Sequence, residues 1–151
     1  MEISIIILCL ILCAFFSGME IAFVSSNKIY LELEKKQDGF LSKILTKLIE
    51  KPSKFIAAML IGYNVAFVVY GFFMGKMLMS WLLLFDLHFS GFTGLLIQTV
   101  ISASVVVMTA EFLPKVFFQI YANSLIKFLA IPAFFFYKLF YFISTFLIWV
   151  S

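Results

Sequence analysis

Twenty-one consecutive residues, Phe55 to Gly75, carry no charge and are bounded by Lys54 and Lys76. A run of that length spans the hydrocarbon core of a bilayer as a helix, at roughly 20 residues per crossing. Two further runs have the same character. Ile3 to Val24 is interrupted in its second half by Ser17, Gly18 and Glu20, and Phe89 to Ala110 is uncharged throughout. In lipid every backbone polar group needs an internal partner, so these runs must be helices. With 64% hydrophobic and 13% charged residues, the 151-residue chain has too much apolar surface for a water-soluble fold of its size.

The expectation is an all-α membrane protein: a single transmembrane domain over residues 1–151 with crossings at about 3–24, 55–79 and 89–113. Between the first two lies a basic stretch with Lys28, Lys35, Lys36, Lys43, Lys47, Lys51 and Lys54. Leu41, Ile44, Leu45 and Leu48 share one helical face there, and Asp38-Gly39 signals a turn. This predicts a helical hairpin over 27–51. The last stretch, 116–150, is apolar but divided by Lys127, Pro132 and Lys138. Lysines at that spacing suit juxtamembrane helices in the interface with snorkelling ammonium groups; a fourth, kinked crossing is the alternative.

Lysine placement sets the orientation. Seven lysines in the first loop put it in the cytoplasm by the positive-inside rule. The N-terminus is then outside, the 76–90 connection outside and the C-terminus cytoplasmic, in a cell inner membrane. Glu2, with no lysine before the first apolar run, argues for a retained helix rather than a signal peptide. All eleven basic residues are lysine, so the net charge of +3 reads as membrane orientation and not as nucleic-acid binding. Cys9 and Cys13 read as packing thiols. There is no H-E-x-x-H and no nucleophile–base pair, so no enzyme is expected.

Four groups inside crossings need partners: Ser17, Glu20, Asn64 and Glu111. Each has a structural reading. Ser17-Gly18 lets two helices touch, Glu20 pairs with a lysine such as Lys115, Asn64 links helices, and Glu111 is interfacial. The functional reading is convergence, because all four lie on the cytoplasmic half of a crossing. Pro114 removes the usual donor to the Ala110 carbonyl, and Gly18 and Gly62 permit local unwinding. An all-oxygen site suits Mg²⁺ or Na⁺. Ala58, Gly62, Ala66, Gly71 and Gly75 form a small-residue stripe of the kind that packs helices in lipid, here expected to build a homodimer.

At these residues the chain resembles a known family. Phe16-Ser17-Gly18-Met19-Glu20-Ile21-Ala22-Phe23 is similar to the S-G-x-E-x-A signature of the first helix in the cyclin-M/CorC magnesium and cobalt efflux family. Lys51-Pro52 with Ala58-Met59-Leu60-Ile61-Gly62 resembles the start of its second helix. Ala110-Glu111-Phe112-Leu113-Pro114-Lys115 resembles its G/A-E-x-x-P-K element. The resemblance implies a dimeric domain with three crossings and a juxtamembrane belt, followed by cytosolic CBS modules. It implies Mg²⁺ export driven by Na⁺ entry, with Ser17, Asn64 and Glu111 as cation-site residues and Glu20 nearby. A non-transporting anchor that assembles or regulates a partner complex is the alternative. One position departs from the family: relatives read G-N-N or G-N-V where this chain has Gly62-Tyr63-Asn64. Asn64 stands about 100° of helix rotation from that first Asn position.

Overall fold

The computed structural model describes residues 1–37, 39–87 and 89–151. Asp38, half of the expected turn, and His88, in the expected second connection, lie outside the described residues. Among the described residues the chain is all helix. Three helices are long and apolar enough to cross a membrane: Glu2–Ser25, Pro52–Leu84 and Gly91–Ile120.

Helix α1 (Glu2–Ser25) matches its expected span within a residue at each end. It stays regular through Ser17-Gly18, so the unwinding expected at Gly18 does not occur. Two short helices follow, α2 (Lys28–Lys35) and α3 (Phe40–Glu50). Asn27 caps α2 by accepting from the Ile29 N–H at 2.9 Å. Gly39 starts α3 at φ 154°, on the positive side that glycine tolerates. Ile44, Leu45 and Leu48 are buried as their spacing predicts, whereas Leu41 is exposed.

Helix α4 (Pro52–Leu84) has Pro52 at its first position, where a missing N–H costs nothing. It runs 33 residues, about 50 Å. The expected end at residue 79 is too early, because no glycine or proline stands between Lys76 and Leu84 to stop the helix. Gly62 is also regularly helical. Helix α5 (Gly91–Val106) passes into a π-helical turn, Val107–Phe112, then α6 (Leu113–Ile120). The expected end at 113 is therefore corrected to Ile120. Pro114 does not break this helix. The Leu113 N–H bonds the Met108 carbonyl five residues back, and Pro114 stands in the first turn of α6, where a missing N–H is tolerated.

The C-terminal stretch forms α7 (Ala122–Phe128), α8 (Ala130–Leu139) and α9 (Tyr141–Val150). Its breaks fall at Tyr121, Leu129 and Phe140, not at the lysines or at Pro132. Pro132 sits in the first turn of α8, where orphan N–H groups make it harmless. Helices α7 and α8 bend by 64° and together are apolar enough to count as one broken span.

Helices α1 and α4 pack along each other, fastened at one end by a 3.0 Å Glu2–Lys76 ion pair. Gly62 lets them approach: a Cβ there would lie 2.6 Å from the Phe16 ring. Phe16 is itself boxed by Phe15, Phe136 and Phe140, at 5.4, 4.8 and 6.3 Å between centroids. Two buried clusters result. One joins α1 and the start of α4 to α2, α3, α7 and α8; the other joins the N-terminal half of α1 to the middle of α4, Val106 and Ala110. Tyr63 and Leu12 touch both clusters and so mark the waist between them.

Candidate cation site

The waist carries the polar residues of interest. From α4, the Tyr63 hydroxyl donates a 2.8 Å hydrogen bond to Glu111 Oε1, in the π-helical turn. From α1, Cys13 Sγ approaches the Tyr63 carbonyl at 3.9 Å. Ser17 lies one turn further along α1 on the same sector, about 40° from Cys13 on a helical wheel. The π-helical turn packs against α1, with Ala110 fully buried.

Ser17 is only 3% exposed, and its hydroxyl has no hydrogen-bond partner among the described residues. A helical hydroxyl has an easy remedy, which is to donate to the carbonyl four residues back. Thr46, Ser80, Thr99, Ser104 and Thr109 all do so. Ser17 does not. Thr145 is the other buried hydroxyl in this condition among the described residues. An unpartnered buried hydroxyl costs roughly 1–3 kcal/mol, which sets Ser17 apart from these helical hydroxyls.

The four expected site residues do not all converge. Glu111 is half-buried at the waist, and Ser17 is buried on α1, one turn beyond Cys13. Glu20 is half-buried but makes no ion pair or hydrogen bond with another described residue, so the alternative Glu20–Lys115 pair is not formed. Asn64 is exposed and points away from the Tyr63 face. The expectation that three helices bring Ser17, Asn64 and Glu111 together is thus corrected at Asn64, by the rotation between adjacent helix positions.

Tyr63 is the residue that sequence reasoning passed over, having read it only as a departure. A signal was present. Tyr63 and Tyr70 are seven residues apart on one face of α4, and a phenol in an apolar setting needs an acceptor. Both find one on the third crossing: Tyr70 donates to the Ser102 carbonyl at 3.0 Å.

The waist holds one carboxylate, a phenol and a buried hydroxyl, with the Cys13 thiol beside them. Among the described residues no three His, Cys, Asp or Glu side chains group as a metal site. A family model described as the Cyclin M transmembrane N-terminal domain matches residues 4–151. The chain belongs to the cyclin M family. A search among curated proteins finds no match. Membership and the three apolar helices together make this cyclin M domain a multi-pass membrane protein.

Proposed function

We propose that the chain is the membrane domain of a divalent-cation transporter, acting in Na⁺-coupled Mg²⁺ export. The observation that supports this reading is the orphaned, buried Ser17 hydroxyl on α1, together with the half-buried Glu111 carboxylate in the π-helical turn that packs on the same helix. Glu111 supplies the one charge. Ser17 and carbonyls of the turn supply neutral oxygens, and Glu20 lies nearer the cytoplasm, on the entry side. A π turn inside an α-helix marks functional sites often enough to add weight. Mg²⁺ dehydrates reluctantly and is commonly held through one or two carboxylates plus water, which this donor set allows.

In this reading the domain sits in the inner membrane with its basic loop in the cytoplasm. It works as a homodimer and hands control to CBS modules beyond Ser151. A second reading, a non-transporting anchor, draws on the Tyr63–Glu111 hydrogen bond, which occupies the carboxylate internally.

Thermal denaturation titrated with Mg²⁺, with choline chloride matching ionic strength, separates the two. Binding to the folded state raises the melting temperature by linkage. Glu111→Ala is expected to lose most of that rise. An unchanged Mg²⁺ response in Glu111→Ala transfers support to the anchor.

A further inference from the structure

Lys47, in the last turn of α3, and Lys138, in the last turn of α8, reach the same aromatic ring. Their Nζ atoms lie 5.7 and 5.0 Å from the Phe134 centroid. Both side chains line one open cleft of about 410 Å³, with Glu50, Tyr137, Tyr141 and Phe142. On Tyr141, the Lys54 ammonium lies 4.6 Å from the ring centroid and donates a 3.2 Å hydrogen bond to the hydroxyl.

The charge here is unbalanced. Lys76, Lys35 and Lys127 each have a carboxylate within 3.3 Å. Neither Lys47 nor Lys138 has one among the described residues. Glu50 is the only acid lining the cleft. The hydrogen bond from Lys54 and the nearby charge of Lys51 hold the Tyr141 hydroxyl below the usual phenol range, a mark of positive local potential. Two ammonium groups on one ring gain cation–π attraction but repel each other. An anion between them removes that repulsion.

The rest of the cleft is aromatic, and its outer wall, Phe142, is 85% exposed. A small inorganic anion would leave that wall uncovered. Lys54 also opens the charge-free run of α4, which places the cleft at the hydrocarbon boundary. Basic pockets at this depth meet anionic headgroups. We infer that the cleft is a binding site for an anionic phospholipid, its phosphate between Lys47 and Lys138 and an acyl chain along Phe134 and Phe142.

The test is native mass spectrometry of the purified chain in neutral detergent. It is titrated with phosphatidylglycerol, or with phosphatidylcholine bearing the same acyl chains. The wild type should retain phosphatidylglycerol preferentially. Lys47→Gln/Lys138→Gln should retain it about ten- to thirty-fold more weakly, from the loss of two surface lysines. Both lysines are exposed, so the double variant should keep its circular dichroism spectrum; Lys47→Arg/Lys138→Arg should restore retention if folding suffers. Glu50→Gln, which removes the opposing charge, should strengthen it. Equal retention of the two lipids by the wild type overturns the inference. So does equal retention of phosphatidylglycerol by wild type and Lys47→Gln/Lys138→Gln. Full competition by equimolar glycerol phosphate would also overturn it, since the site would then take a free phosphate ester rather than a lipid.

Discussion

The Tyr63 hydroxyl and the Glu111 carboxylate are 2.8 Å apart, joined across the second and third crossings. A phenol at this position makes the protein its own partner for the one carboxylate at the waist. A cation that uses Glu111 must compete with that bond.

Tyr63→Phe removes the donor and keeps the ring. Its stacking on Phe67, 5.9 Å between centroids, should survive. A hydrogen bond to a charged group contributes about 1.5–3 kcal/mol, so the melting temperature without Mg²⁺ should fall. The Mg²⁺-dependent rise should grow, because the carboxylate no longer has an internal donor. Tyr63→Asn should strengthen the Mg²⁺ response further by adding a neutral ligand. Equal Mg²⁺ responses in Tyr63→Phe and wild type would show that the phenol does not compete for the site.

Ser17→Ala separates stability from binding. Deleting an unsatisfied buried hydroxyl should stabilise the ion-free domain by about 1 kcal/mol. The same change should weaken the Mg²⁺ response, though less than Glu111→Ala does. Opposite signs in the two melting series check this. If ion-free stability falls instead, Ser17 has a partner in solution.

The glycines of α4 should behave differently from one another. Gly62→Ala drives a Cβ into the boxed Phe16 ring and should destabilise the protomer by about 1–3 kcal/mol. Gly71 has nothing within 4 Å of an added Cβ. Gly71→Leu should therefore leave the protomer folded while weakening a dimer, seen by light scattering and cross-linking in detergent. An unaltered dimer would move the interface elsewhere. The stripe expected to serve a second copy is used largely inside one chain.

Orientation can be read by thiol labelling. Cys9 and Cys13 are buried, so the native background should be low. Leu87→Cys should react with a membrane-impermeant reagent from outside intact cells, and Lys43→Cys should react only after permeabilisation. Leu87 is preferred to Asp86, whose φ of 57° suits few side chains. The reverse pattern would invert the topology.

The existence of the three apolar helices was legible from uncharged length alone, and the start of α4 from Pro52. Their far ends were not. Helix α4 continues past Lys76 because a lysine marks depth without stopping a helix. The third crossing continues past Pro114 because a π turn precedes it and leaves it in the first turn of α6, a register change that no local periodicity encodes. The C-terminal breaks at Tyr121, Leu129 and Phe140 are bridge-like backbone conformations with φ near −100° and no glycine or proline to announce them. At the candidate site, Glu111 and Ser17 stood out because polar groups in apolar runs demand partners. Asn64 stood out for the same reason, yet its neighbour Tyr63 holds the inward face.

The uncharged run of α4 acts as a ruler. Lys54 and Lys76 are 22 residues apart, or about 33 Å along the helix axis, slightly more than the roughly 30 Å of a typical hydrocarbon core. A modest tilt absorbs the difference. Because the Glu2–Lys76 ion pair and the Phe16–Gly62 contact fasten α1 to α4, the two helices must lean together. Bilayer thickness therefore sets the inclination of the pair as a unit, and a thinner membrane makes the whole pair recline further.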